Sequence, residues 1–417
     1  MGEVMYCKKL SRDSFDIYLE KMNRYNKLNI TDHTEKINTA AVIINYAIQD
    51  INRNVKEVNK LAEKKERRYS TRIFYELVIK TDHIIHSVDQ VSKIMKIKND
   101  KNIAIEKFRR IRSLTLAHPL ETTRYENQGF GIENIKWCED VRPFNPLFNY
   151  KDKTGDFYMV IKEQGKDLPE REAVSIEKDI LEAAKIAIKR LDLISNEFEI
   201  WINKQTEFFQ KKDIFEGVEK FSNDGEYLEK LFIALKERYP SKVEVINYAD
   251  GKIVENSIID DIKARLLLHF EDKKRNETYK VYRNELKTVV EKFAFQLQDM
   301  SLNEEIENEL RNIFFPTVKN LEEIAEMDLT YINDKIHEYL YNSNDFSFYS
   351  IQQRTIRSES ELSNSEFSFA KIYDLLEYLT PYFDIDLNSS DRIIAIQYYA
   401  ALFLLNRKHD VKYIFLH

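Results

Sequence analysis

Apolar residues recur every three or four positions through most of this chain, and up to Ala117 the pattern runs almost without a break. That spacing predicts four amphipathic helices. The first covers about Ser11 to Tyr25, with Phe15, Ile17, Tyr18 and Met22 on its apolar face. The second starts at the cap candidates Thr31 and Asp32 and runs to about Arg67, through Ile37, Ala41, Ile44, Ile48, Ile51, Val55, Val58 and Leu61. The third spans about Thr71 to Met95 and carries Phe74, Leu77, Val78, Ile84, Ile85, Val88, Val91 and Ile94. A polar turn at 98–102 precedes the fourth, about Ile103 to Ala117. Four such helices with short connections predict an up-down bundle.

The pattern then changes. Gly129, Gly131, Pro143, Pro146, Gly155, Gly165 and Pro169 mark turn territory, within which Asp156 to Lys162 reads as a strand. Glu172 to Ile176 reads as its antiparallel partner, so a small β-hairpin is inserted after the bundle. Helical spacing returns over Glu177 to Lys211, a long helix expected to pack back on the bundle and close a first domain, 1–215. A second domain, 216–417, reads as helices at about Gly225–Tyr239, Ile258–Phe270, Arg275–Gln298, Glu304–Phe314, Leu321–Tyr341, Ile372–Tyr382 and Arg392–Arg407. Val243, Val245 and Ile253 suggest a second small hairpin, and Asn342 to Ser368, dense in Ser, Asn and charge, reads as a loop or linker. The last helix, with Tyr398, Tyr399, Phe403 and Leu404, is apolar on several faces and is expected to be buried. The fold class is therefore mainly α, with no repeat of fixed period.

Composition sharpens this picture. Among 417 residues there are only 8 Gly and 7 Pro, too few for a sandwich of many tight turns. Cys7 and Cys138 make neither a metal cluster nor a disulfide framework, as expected of a reducing cytosol. The first nine residues lack the apolar stretch of a secretory leader, and the longest apolar run, Ile393 to Leu405, is shorter than the roughly 20 residues a bilayer requires. A cytoplasmic protein without membrane association is the expectation. The net charge of −7 conceals an asymmetry: residues 1–112 hold 24 Lys+Arg against 15 Asp+Glu, an excess of +9, and the remainder holds 40 against 56, or −16. A basic N-terminal part favours a phosphate-rich partner, with lysine-rich solvated helix faces as the plainer explanation.

The candidate chemistry lies at the end of the fourth helix, where Arg109, Arg112, Thr115 and His118 recur every three residues. Arg112 and His118 stand about 120° apart on an ideal helix. Pro119 disfavours helical geometry at His118, so the imidazole is expected to leave the helix line. A histidine near neutrality can move a proton to or from a ribose hydroxyl, and a guanidinium can hold a phosphate and its transition-state charge. These are the parts of an RNA-cleaving site that needs no metal. The plainer alternative is that Arg112 pairs with a carboxylate such as Glu106 or Glu121 while His118 caps a helix end.

The run Arg112, Ser113, four further residues and His118, on the last helix of a four-helix bundle, resembles the HEPN superfamily, whose active members are mostly metal-independent ribonucleases. The likeness covers residues 1–125 and extends to 215. It implies Arg112 and His118 as the catalytic pair and Ser113 at the polar position, where asparagine or aspartate is commoner; Thr115 and Arg109 are supporting candidates. It also implies RNA as substrate, no cofactor, a homodimer, and a defence or toxin role. An antitoxin or a phage-derived trigger is then an expected partner, and the acidic second domain is expected to sense or restrain the first. The alternative from another class is a non-catalytic helical dimer that binds nucleic acid or a protein; a DNA-binding regulator lacks a helix-turn-helix.

Other candidates are weaker. His83 and His86, at i and i+3, have a metal-compatible spacing without a second ligand cluster, so no metal is expected. Lys64 to Tyr69 is a basic turn able to meet an RNA backbone. Tyr125 and Trp137 are able to stack on a base, with core packing the plainer role for Trp137. His33, His269, His337, His409 and His417 stand alone.

Overall fold

In a computed structural model the protein is mainly helical with small antiparallel sheets. The structure describes residues 7–63, 69–116, 136–144, 155–163, 168–217, 224–247, 253–316, 385–386, 389 and 391–411. The chain divides into two compact units, Met1–Gln205 and Thr206–His417. The division falls inside a helix, about ten residues before the position expected from sequence.

The first unit opens with α1 (Asp13–Leu28), α2 (Asp32–Glu63), α3 (Thr71–Ile94) and α4 (Ile103–Leu116). The apolar stripe of α2 is buried from Ile37 to Val58 and packs along α3. Four asparagines, Asn38, Asn45, Asn52 and Asn59, stand seven apart on α2 and hold the chain before and within α1. Asn52 and Asn59 each exchange two hydrogen bonds with a peptide unit, at Leu10 (2.7 and 3.1 Å) and Cys7 (2.9 and 2.9 Å). Asn45 accepts from Arg12 and Asn38 from Asn26, both at 2.8 Å. These side-chain amides supply the partners that an extended segment lying on a helix cannot find in a ladder.

Three strands follow: β1 (Lys136–Pro143), β2 (Phe157–Glu163) and β3 (Glu170–Val174), in antiparallel order β1-β2-β3. β2 pairs with β3 from Phe157↔Val174 to Ile161↔Glu170. β1 occupies a stretch that the sequence reading left as turn, because its alternation is broken by a bulge between Cys138 and Asp140. The long helix expected over Glu177 to Lys211 is interrupted. It begins as a π-helical turn, Ile176–Leu181, continues as α5 (Glu182–Lys189), and tightens at Arg190, whose N–H is shared between Ile186 and Ala187 carbonyls at 3.1 Å. It then resumes as α6 (Leu191–Gln210). Ser175 and Asp179 cap the π turn reciprocally: the serine hydroxyl accepts from Lys178 N and the carboxylate from Ser175 N at 2.8 Å. Ala183, Ala184 and Ala187 are fully buried, and these small side chains let α5 pack closely against α1, α3 and α4.

The second unit contains α7 (Asp224–Arg238), the strand pair β4 (Glu244–Asn247) and β5 (Ile253–Asn256), α8 (Ile258–Leu266), α9 (Lys273–Gln298), α10 (Glu304–Phe314) and α11 (Asp391–Val411). A Ser257–Asp260 capping box starts α8. Buried Arg238 closes the end of α9, donating to Leu297 and Gln298 carbonyls at 3.0 Å. As expected, α11 is buried: Tyr398, Tyr399, Leu402 and Leu404 lie against α9 and α10. The helices expected at 321–341 and 372–382 and the 342–368 segment lie outside the described residues.

Candidate functional site

The last turns of α4 are set by the residues before them. Asn102 caps the helix, its side chain accepting from Ala104 N at 2.9 Å, and Ile105, Phe108, Ile111 and Leu114 then enter the core at three-residue steps. Ile105 is buried and Ala104 beside it is half-buried. With that stripe fixed against α3, α5 and β1, the basic residues from 107 to 112 meet side chains of the neighbouring elements.

Each of those four cations meets a carboxylate. Lys107 Nζ is 2.6 Å from Asp179 Oδ1 in the π turn. Arg109 is held at both terminal nitrogens, Nη2 to Asp89 Oδ2 at 2.6 Å and Nη1 to Glu106 Oε1 at 2.8 Å. Arg110 Nη1 lies 2.7 Å from Glu172 Oε1 on β3. Arg112 Nε lies 3.2 Å from Asp82 Oδ2 on α3. The basic run that suggested a phosphate partner is thus neutralised locally by five acids, four drawn from three other elements and one, Glu106, from α4 itself. Glu106 pairs with Arg109, not Arg112, and Glu121 lies outside the described residues.

Asp82, His86 and Asp89 line one face of α3 at i, i+4 and i+7. Asp89 is the hub of this seam: besides Arg109 it accepts from Asn99 at 3.1 Å and lies 3.5 Å from Arg190 Nη1. Arg190 also donates to the Asp100 carbonyl at 2.6 Å, which ties the α3–α4 turn to the α5–α6 junction. His86 is exposed, with a ring nitrogen 2.8 Å from the Gln90 amide, and His83 is exposed beside it. Among the described residues no group of three or more His, Cys, Asp and Glu could hold a metal ion.

The remaining candidates divide between those described and those not. Thr115 donates its hydroxyl to the Ile111 carbonyl at 2.8 Å, and Ser113 is half-buried on the same turn. Trp137 is half-buried on β1. His118, Pro119, Tyr125, His337, His417 and residues 64–68 lie outside the described residues; Tyr69 is buried against Phe157. Sequence reading missed Asp82 and Asp89 as partners of the two arginines, because both acids lie on the preceding helix, 30 and 20 residues away.

Compared with protein-family models, curated proteins and solved structures, the chain matches none of them. No helix among the described residues is long and apolar enough to cross a membrane.

Proposed function

We propose that the first unit is a HEPN-like ribonuclease domain that cleaves RNA without a metal, with Arg112 and His118 as its catalytic pair. The observation that carries this reading is the state of Arg112: half-exposed on the final turns of α4 and held by one carboxylate through Nε, six residues before His118. Arg109 supports the architecture here, since both its terminal nitrogens are committed. In the reaction the ribose 2′-oxygen forms a bond to phosphorus and loses its proton to a base. The bond from phosphorus to the 5′-oxygen breaks, and that oxygen takes a proton from an acid, leaving a 2′,3′-cyclic phosphate. His118 serves one proton transfer, and Arg112 holds the phosphate as charge builds on it. Two copies in a cytoplasmic homodimer supply both an acid and a base. The acidic second unit restrains or triggers the first in a defence or toxin setting. End-group analysis of cleaved RNA tests the chemistry: cyclic phosphate or its hydrolysis product is expected, and a 5′-phosphate product contradicts it.

A second reading draws support from the four neutralised cations of α4. A helix whose charges are all satisfied internally suits a structural element of a non-catalytic dimer that binds nucleic acid or a partner protein. RNA binding without cleavage, unaffected by His118→Ala, distinguishes it.

A further inference from the structure

Asp82 holds Arg112 differently from the way the neighbouring acids hold their partners. Arg109 and Arg110 are engaged at terminal nitrogens, the former at both, whereas Arg112 is engaged at Nε, the guanidinium nitrogen nearest the chain. The Nη1–Nη2 fork lies outside that hydrogen bond. Both partners remain open to solvent, 37% and 29% exposed, so the pair is not a buried brace. The backbone under Asp82 is rigid by contrast, because Thr81, Ile84 and Ile85 are buried on α3. A long side chain gripping a phosphate loses rotamer freedom at that moment, and one anchored beforehand has less to lose. The anchor also has a cost in ground-state binding, since a carboxylate beside the phosphate path repels RNA.

We propose that Asp82 is a positioning residue for Arg112, fixing the guanidinium by Nε so that its terminal nitrogens meet the scissile phosphate. The role rests on the ribonuclease reading above. It predicts opposite movements of two kinetic constants. Without Asp82 the orientation is lost and kcat falls, while the removed negative charge leaves KM unchanged or lower. A merely structural loss would instead lower the melting temperature and active fraction together.

The experiment uses the full chain and a single-stranded RNA of mixed sequence, with wild type, Asp82→Ala, Asp82→Asn, Asp82→Glu, Arg112→Ala, His118→Ala and Asp50→Ala compared. Asp50 accepts an ion pair from Lys80 at 2.7 Å elsewhere on the α2–α3 pair and is the control. Asp82→Ala is expected to lower kcat by about tenfold to hundredfold, the scale of a misplaced group, with KM not raised. Asp82→Asn should lose less, Asp82→Glu should recover part of the activity, and Asp50→Ala should match wild type. If Asp82→Ala does not fold, the isosteric Asp82→Asn carries the same comparison. Wild-type kcat in folded Asp82→Ala or Asp82→Asn, with Arg112→Ala and His118→Ala inactive, overturns the positioning role and leaves the ribonuclease reading intact. A loss in Asp50→Ala equal to that in Asp82→Ala also overturns it. No cleavage by wild type, or full cleavage by His118→Ala, overturns the ribonuclease reading and this role with it.

Discussion

Arg112 of α4 and Asp82 of α3 form a cross-helix ion pair at 3.2 Å, one step along a seam from Arg109 and Asp89 at 2.6 Å. The two helices run in opposite directions, so the earlier acid meets the later arginine. The seam joins a residue proposed to act on RNA to a hub, Asp89, that organises the α3–α4 turn and the α5–α6 junction. The two ends of the seam therefore differ in what they contribute.

At the Arg112 end, stability and activity should separate. Arg112→Ala removes a solvent-exposed ion pair worth about 0–1 kcal/mol, so the protein should stay folded. Leu114→Ala, two residues on and buried, should cost about 2–5 kcal/mol. Urea unfolding of both variants checks this, and an Arg112→Ala midpoint as low as that of Leu114→Ala would assign Arg112 to the fold.

The Asp89 end should behave in the opposite way. Asp89→Ala leaves Arg190, which is only 13% exposed, without its carboxylate, and removes an acceptor from Asn99 and from Arg109. A loss of about 1–3 kcal/mol is expected. Arg110→Ala breaks a more exposed pair with Glu172 and should cost about 0–1 kcal/mol. Equal losses in the two variants would contradict the hub.

Alkaline pH should weaken the first unit. Burial pushes the Cys7 thiol from its ordinary 9.0 up to about 12, with Asp156 and Glu177 adding to the rise and Lys185 opposing it. A group whose folded pKa is raised contributes stability fully present below its unfolded pKa and lost as pH rises towards the folded one. The window is therefore about pH 9 to 12, and burial of Tyr18 raises its phenol in the same sense. The urea midpoint should fall across this range, less steeply in Cys7→Ala. Asn59→Ala, which frees the Cys7 peptide unit, should speed thiol labelling at neutral pH.

Periodicity made most of this fold legible. The stripes of α2, α3, α9 and α10 are long or strongly apolar, and each lies where its spacing puts it. β1 escaped notice because the bulge at Cys138 breaks its alternation, and the break at Arg190 escaped because apolar spacing continues through it. At the candidate site, spacing located the polar stripe of α4. It did not reveal that the basic charge is internally neutralised. Asp82, Glu172 and Asp179 reach α4 from positions 30 to 72 residues away, and local pattern carries no information on such pairs. The asparagines seven apart on α2 are the reverse case, a visible repeat whose meaning appears only once residues 7–12 lie against it.

The proposed homodimer can be tested by mixing. On an ideal helix a six-residue separation sets Arg112 and His118 about 120° apart, so a shared cleft between two copies is the arrangement proposed to gather both kinds of group. Heterodimers of Arg112→Ala and His118→Ala chains should differ in activity from either parent. Sedimentation as a monomer at concentrations where RNA is cut would exclude the shared cleft.

The central claim is an RNA-cleaving site at Arg112 and His118, and one assay addresses it directly. Wild type and His118→Ala are incubated with RNA in excess EDTA, with circular dichroism showing that both are folded. The account predicts cleavage by wild type and none by His118→Ala. Cleavage that disappears with EDTA and returns with Mg²⁺ or Mn²⁺, or equal cleavage by both proteins, would contradict it.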